Sequence, residues 1–154
     1  MELILWRHAE AEIGEPDLGR KLTGRGEKQA RRVAEWLHAH LPDSARMLVS
    51  PATRAQQTAR VLGELSHRKM RTVDEIAPGA GVRDVLMAAD WPHARLPVVV
   101  VGHQPTLGHV ASYLLAGKAL DWSMKKAGVW WISSRERDGE EQAVLRAVIS
   151  PDLL

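Results

Sequence analysis

The sequence contains no cysteine, no phenylalanine and only one tyrosine among its 154 residues. The absence of cysteine excludes disulfide bonds, thiolate metal ligands and cysteine nucleophiles. No apolar run approaches the roughly 18 residues typical of a membrane-spanning helix, and no basic, cleavable leader precedes the first predicted strand. We therefore expect a cytoplasmic protein with no membrane partner.

The charges are nearly balanced, because 21 Lys and Arg residues face 19 Asp and Glu residues for a formal net charge of +2. This excess is too small to predict a nucleic-acid-binding face. Hydrophobic residues make up 45% of the chain, which is typical of a globular protein. The length and composition together predict one domain spanning residues 1–154.

A short apolar run at 3–6 ends abruptly in Arg7 and His8. Its length and its charged boundary favour a buried strand over a helix. In open α/β sheets, ligands bind beyond the carboxyl ends of the strands. An arginine there supplies a fixed cation, and a histidine supplies a nitrogen nucleophile. The alternative is a strand end capped by two polar residues.

Two later strands end in similar residues. The apolar run 47–49 is followed by Ser50, which is predicted to cap a helix carrying Arg54 in its first turn. The run 96–101 is followed by His103 at the start of another predicted helix. If these strands are neighbours in one parallel sheet, Arg7, His8, Arg54 and His103 converge. Such a cluster can bind a phosphoryl group and attack it.

The remaining elements complete the predicted fold. Thr23 is predicted to cap a helix whose apolar residues recur at helical spacing as far as Leu41. A brief edge strand at 71–73 and a short helix after Pro78 follow. The sequence ends in two strands around the turn residues Asp138 and Gly139. This order predicts a three-layer α/β domain, in which a mostly parallel, mixed sheet is flanked by helices and ends in a C-terminal hairpin.

Motifs in this order resemble the histidine phosphatase (phosphoglycerate mutase-like) superfamily, and within it the small phosphohistidine phosphatases of the SixA type. The motifs that carry the resemblance are Arg7-His8, Arg20 before Leu22-Thr23, Ser50-Pro51 with Arg54 and Gln57-Thr58, Glu75 ahead of Pro78, and Gly102-His103 with Pro105. The resemblance implies a phosphoglycerate mutase-like fold that works without a metal or a cofactor.

The resemblance also implies roles for individual residues. His8 would accept the phosphoryl group, Arg7, Arg54 and His103 would hold it, and Arg20 would be a further contact. Because the arginines disfavour a second positive charge, we expect them to lower the pKa of the nucleophile. Glu75 is a candidate general acid for an alkoxide leaving group, although it could equally be a solvated loop carboxylate.

Two features depart from the superfamily pattern. Ala9 stands where the best-known motif has glycine, which would be strained if the backbone there required a positive φ. The stretch between Arg54 and His103 is also short. Superfamily members that act on small metabolites usually carry a helical lid in this stretch, so we expect an open, shallow site here.

The function expected from the resemblance is removal of phosphate from phosphohistidine on a histidine phosphotransfer or phosphocarrier protein. One alternative is a small phosphomonoesterase that acts on a sugar or nucleotide phosphate. A second is a binding module for a phosphorylated ligand that catalyses nothing.

Overall fold

Six strands and four helices alternate along the chain, described for all residues 1–154 by a computed structural model. The strands are β1 (Glu2–Arg7), β2 (Arg46–Val49), β3 (Met70–Thr72), β4 (Val98–Gly102), β5 (Val129–Arg137) and β6 (Glu140–Ile149). The helices are α1 (Gly24–His40), α2 (Thr53–Ser66), α3 (Val82–Ala88) and α4 (Thr106–Ala116). No helix has the length and apolar character that crossing a membrane requires.

All six strands form one sheet in the order β3-β2-β4-β1-β5-β6. The first four strands of this order run parallel, whereas β5 is antiparallel to β1 and β6 is antiparallel to β5. The carboxyl ends of β1, β2 and β4 therefore meet at one edge of the sheet. The predicted mixed, mostly parallel sheet with a C-terminal hairpin is confirmed.

Helices cover both faces of the sheet, as the alternation of side chains along β1 illustrates. Ile4 and Trp6 join a buried cluster with residues of α1 and α2. Leu3 and Leu5 point to the opposite face and join a cluster with residues of α3 and α4. Because helices cover both faces of the sheet, side chains on both faces of a central strand are buried, and this explains the continuous apolar runs in the sequence.

The predicted beginning of α1 is confirmed, and that of α2 is wrong by two residues. Thr23 caps α1 by accepting a hydrogen bond from Gly26 N at 2.9 Å. Helix α2 begins at Thr53, after Ala52, and not at Pro51. Ser50 instead accepts from Ala52 N in a short turn at 3.2 Å, which delays the first helical residue.

The loop between β1 and α1 lies at the same edge as the carboxyl ends of the parallel strands. A bridge between Ala11 and Leu22 closes its base, and a single 3-10 turn forms at Asp17–Gly19. Gly26, in the first turn of α1, leaves no room for a Cβ atom because it lies against the Glu10 carbonyl. This close approach fixes the beginning of α1 against the segment that follows β1.

Candidate functional site

The carboxyl ends of three adjacent strands bring the predicted site residues together. Arg7 and Gly102 are paired in register, and His8 N donates to Gly102 O at 3.0 Å. The rings of His8 and His103 lie 5.2 Å apart between centroids. Arg54, from the first turn of α2, points its Nε at His8 Nε2 over 3.4 Å. One cluster of two imidazoles and buried cationic charge is the result.

The hydrogen bonding of His8 fixes its tautomer. Its Nδ1 lies 2.7 Å from the carbonyl oxygen of Ala9. A carbonyl can only accept, so Nδ1 carries the proton and the lone pair of the neutral ring is on Nε2. Burial lowers the pKa of His8 to about 4, and the charges of Arg54, Arg7 and Arg20 act in the same direction. The imidazole is thus neutral at neutral pH, and the lone pair of its Nε2 faces Arg54 Nε at 3.4 Å.

Ala9 causes no strain at the turn after His8. It is not among the residues with positive φ, so a side chain is tolerated where the family motif has glycine. Its backbone N donates to Thr58 Oγ1 at 3.0 Å, and the Thr58 hydroxyl in turn donates to Arg54 O at 2.7 Å. Thr58 therefore connects the turn after β1 with the helix turn that carries Arg54.

His103 is held from behind by a serine hydroxyl. Its Nε2 lies 2.7 Å from Ser50 Oγ. The Ser50 hydroxyl also accepts from Ala52 N, and it has both a proton and a second lone pair with which to pair the ring nitrogen. His103 Nδ1 is buried and has no partner. Burial, the neighbouring His8 and Arg54 lower the pKa of His103 to about 3.

The two arginines of the cluster differ in their surroundings. Arg7 Nη1 donates to Met124 O at 2.7 Å, whereas its buried Nε has no partner. Arg54 is 4% exposed and donates twice to Asp17, from Nη1 to the carbonyl oxygen at 2.8 Å and from Nη2 to the carboxylate at 3.2 Å. The Asp17 carboxylate thus contacts a guanidinium edge that would otherwise be available to a phosphoryl oxygen.

The site is less open than the sequence predicted. His8 is 9% exposed and His103 is 3% exposed, and the loop that carries Asp17 contacts the neighbouring Arg54. Arg20 belongs to the same loop, and it donates to the Asp17 carboxylate at 3.1 Å and to Glu12 O at 3.1 Å. Desolvation opposes the shift, but hydrogen bonds and charge from Arg54 and Arg20 hold the pKa of Asp17 below its usual value.

Glu75 is not joined to this cluster by any hydrogen bond or ion pair. It is exposed, and it lies in a 3-10 turn directly after the edge strand β3. Two strand spacings separate β3 from β4, or about 10 Å across the sheet. Glu75 shares the edge of the sheet with the two histidines, and its catalytic role stays a prediction.

Two site residues were missed by reasoning from the sequence. Ser50 is predicted only as a helix cap, but its hydroxyl lies 2.7 Å from His103 Nε2. Asp17 belongs to the segment before α1, in which Arg20 is the only predicted site residue. Its only sequence signal was its nearness to Arg20, the residue for which a phosphate contact was expected.

Residues 3–81, which are half of the chain, match the family model described as the histidine phosphatase superfamily (branch 1). The phosphohistidine phosphatase SixA of Escherichia coli (strain K12) is 28% identical over 77% of this chain and 76% of that protein. A structure of the protein histidine phosphatase SixA complexed with tungstate superposes with a TM-score of 0.84, at 24% identity over 99% of each chain.

A mycobacterial glucosyl-3-phosphoglycerate phosphatase has the same fold. It superposes with a TM-score of 0.71, at 20% identity over 95% of this chain and 97% of that one. The phosphoglycerate mutase-like fold expected from the motifs is thus confirmed in solved structures.

Proposed function

Since the chain belongs to the histidine phosphatase superfamily, we propose that it is a phosphohistidine phosphatase in which His8 is the nucleophile. Its substrate would be a histidine phosphotransfer or phosphocarrier protein, and residues 1–154 would form a single catalytic domain. The relative from Escherichia coli supports this substrate class through its name. The observation that carries the proposal is the tautomer of His8, whose Nδ1 donates to Ala9 O.

In the first step, the lone pair of His8 Nε2 attacks phosphorus, and the bond between phosphorus and the substrate imidazole breaks. The electron pair of that bond returns to the leaving imidazole, which is neutral if the other ring nitrogen of the substrate phosphohistidine carries a proton before the attack. His8 Nδ1 keeps its proton and continues to donate to Ala9 O, and this hydrogen bond stabilises the positive charge of the phosphorylated ring. A water molecule then attacks phosphorus, restores the lone pair of Nε2 and releases inorganic phosphate.

The arginines of the site can stabilise the negative charge of the phosphoryl group during its transfer. The charges of Arg7, Arg54 and Arg20 all lie close enough to His8 to lower its pKa. The tautomer of His103 with its proton on the unpartnered Nδ1 would donate to an equatorial oxygen of the transferring phosphoryl group. Arg7 and His103 are already held by Met124 and Ser50, whereas Arg54 and Arg20 would exchange the Asp17 carboxylate for phosphoryl oxygens.

The surroundings of the site favour a protein substrate. Between the end of α2, which carries Arg54, and His103, the chain forms one α-helix, α3. Val85 packs α3 into the buried cluster on the α4 face of the sheet. No helix is therefore inserted over the cluster. An imidazole also leaves more readily than an alkoxide, so exposed Glu75 is not required as an acid for this substrate.

The proposal is tested by comparing substrates. We would supply the purified protein with a phosphohistidine peptide, phosphoramidate and a panel of small phosphomonoesters. We expect kcat/KM for the phosphohistidine peptide to exceed that for the esters by about a hundredfold, or about 2.7 kcal/mol. A preference of the same size for one sugar or nucleotide phosphate over the phosphohistidine peptide would indicate a metabolite phosphatase instead.

The nucleophile is tested separately by His8→Ala. We expect this variant to lose turnover by at least about 10⁴-fold and to trap no acid-labile, alkali-stable phosphate. His109→Ala is the matched control, because His109 lies outside the cluster and its Nε2 is 2.7 Å from Asp121 Oδ1. We expect this variant to keep normal turnover and labelling. Saturable binding without any labelling of the unaltered protein would indicate a binding module.

A further inference from the structure

A basic surface lies beside the cluster and takes no part in the chemistry described above. It consists of Arg25, Lys28 and Arg32 on α1 and of Lys125 and Lys126 in the connection before β5; we call it the basic rim. These residues line a surface depression that no hydrophobic side chain lines. Asp152 is the only carboxylate among the lining residues.

The basic rim lies at the same edge of the sheet as His8. Met124, next to Lys125, accepts a hydrogen bond from Arg7, and Ala127, next to Lys126, donates its backbone N to His8 O at 3.1 Å. The first turn of α1 contacts the segment after His8 through Gly26 and the Glu10 carbonyl. A molecule bound to the basic rim would therefore lie beside the segments that contact Arg7 and His8 directly.

Three of the five cations of the basic rim have no partner in the fold. Lys28, Arg32 and Lys126 are exposed and make no hydrogen bond or ion pair. Arg25 and Lys125 form ion pairs, with Glu10 at 3.7 Å and with Asp152 at 3.5 Å. Arg25 and Lys28 also lie in the first two turns of α1, where the helix dipole disfavours positive charge. With a net charge of only +2 over the whole chain, this concentration of cations is local.

We propose that the basic rim docks an acidic face of the protein that carries the phosphohistidine. This inference rests on the proposed function, because it identifies the surface charge of the substrate protein. Opposite charge across an interface accelerates encounter and fixes orientation more than it strengthens tight binding. The basic rim would thus guide the phosphorylated imidazole to His8 and contribute nothing to bond cleavage.

The shape of the basic rim favours a patch of carboxylates over other anions. Arg25 and Arg32 are about 10 Å apart along the axis of α1, which exceeds the span of one phosphate group. The depression has no aromatic side chain on which bases could stack, as single-stranded nucleic acids require. An acidic protein face can present several carboxylates over this distance.

The test uses two phosphohistidine peptides that differ only beside the reactive residue. One carries a block of glutamates and the other carries glutamines at the same positions, and phosphoramidate serves as a small substrate without either. At low salt, we expect kcat/KM for the acidic peptide to exceed that for the neutral peptide by about tenfold, mainly through KM. This preference should disappear at high salt.

The variant Lys28→Glu/Arg32→Glu/Lys126→Glu should abolish the preference for the acidic peptide and leave phosphoramidate hydrolysis unchanged. The matched control is Arg46→Glu/Lys69→Glu/Arg95→Glu. These three exposed cations lie at or before the amino ends of β2, β3 and β4, at the opposite edge of the sheet. The control changes the net charge equally and should keep the preference.

A preference for the acidic peptide that survives the triple substitution, or that the control also loses, would overturn the docking proposal but not the proposed function. Binding of the unphosphorylated acidic peptide is measured in parallel, so docking is tested even if no substrate is hydrolysed. Tighter binding of a single-stranded oligonucleotide than of this peptide would also overturn the proposal.

Discussion

The site consists of two regions that are held in opposite ways. The floor comprises Arg7, His8, Arg54 and His103, and the cover is the loop at 12–20. Backbone hydrogen bonds continue the sheet into the floor, since His8 N donates to Gly102 O and Ser50 N donates to Val101 O, both at 3.0 Å. The cover has no buried residue, and its 3-10 turn at Asp17–Gly19 packs no side chain into the core.

The two regions meet mainly at polar contacts. Arg54 donates to the carbonyl and the carboxylate of Asp17, and Arg20 stays within the cover. These contacts join a buried arginine to an exposed aspartate, since the side chain of Arg54 is 4% exposed and that of Asp17 is 51% exposed. The difference teaches that the sheet holds the floor through buried, hydrogen-bonded strand ends, which are costly to disturb, whereas the cover is held through its contacts to Arg54.

After the loss expected for His8→Ala, the next largest effect should come from breaking the floor at His103. We expect His103→Ala to lower kcat by about a hundredfold, as the loss of one preorganised donor typically does. Ser50→Ala keeps the ring and removes only the hydroxyl that orients it, so we expect a smaller loss of about tenfold. Steady-state kinetics on phosphoramidate measure both. A Ser50→Ala loss equal to that of His103→Ala would contradict separate donor and positioning roles.

The pH dependence tests how well the floor is shielded. With a pKa of about 4, His8 is mostly unprotonated at pH 5, whereas a histidine with the ordinary pKa of 6.5 would be almost fully protonated. The neutral form of His8, which the proposed attack requires, is lost only as the pH falls through this lowered pKa. At pH 5 we therefore expect about 30 times more active enzyme than an unshifted histidine would give.

Histidine side-chain NMR measures this titration directly. In Arg54→Met we expect the pKa of His8 to rise only part of the way toward 6.5, since burial is the larger cause of the shift. A full return to 6.5 in this variant would indicate that charge outweighs burial in the floor.

The contrast between floor and cover also explains what the sequence could predict. His8 and His103 follow apolar runs that leave no doubt about where their strands end, and parallel strands bring such ends to one edge. Arg54 follows from the helix after β2. Asp17 lies 37 positions from Arg54 in an exposed loop, and no local pattern reports where such a loop folds back. Ser50 has a hydroxyl that suits both a cap and a histidine, so its local sequence could not distinguish them.

Weakening the contact between the cover and Arg54 should have a smaller effect, and it should strengthen anion binding. Asp17→Asn keeps the shape of the side chain but removes the charge that occupies Arg54. We expect tungstate or phosphate to inhibit this variant about five times more strongly, because the anion no longer competes with a carboxylate. Asp121→Asn is the control, since Asp121 is paired with His109 outside the site. Weaker inhibition of Asp17→Asn would mean that Asp17 helps to bind the anion.

The smallest effect is expected at Glu75, which belongs to neither region. Its carboxylate is exposed and has no hydrogen bond to the floor, so it lacks the fixed position that efficient proton donation needs. We expect Glu75→Gln to slow phosphomonoester hydrolysis by about threefold and phosphohistidine hydrolysis by less, because an alkoxide needs a proton more than an imidazole does. Parallel kcat measurements on both substrates test this. Equal losses on both would assign Glu75 a role in binding the phosphoryl group, and would extend the floor by two strands toward the edge of the sheet.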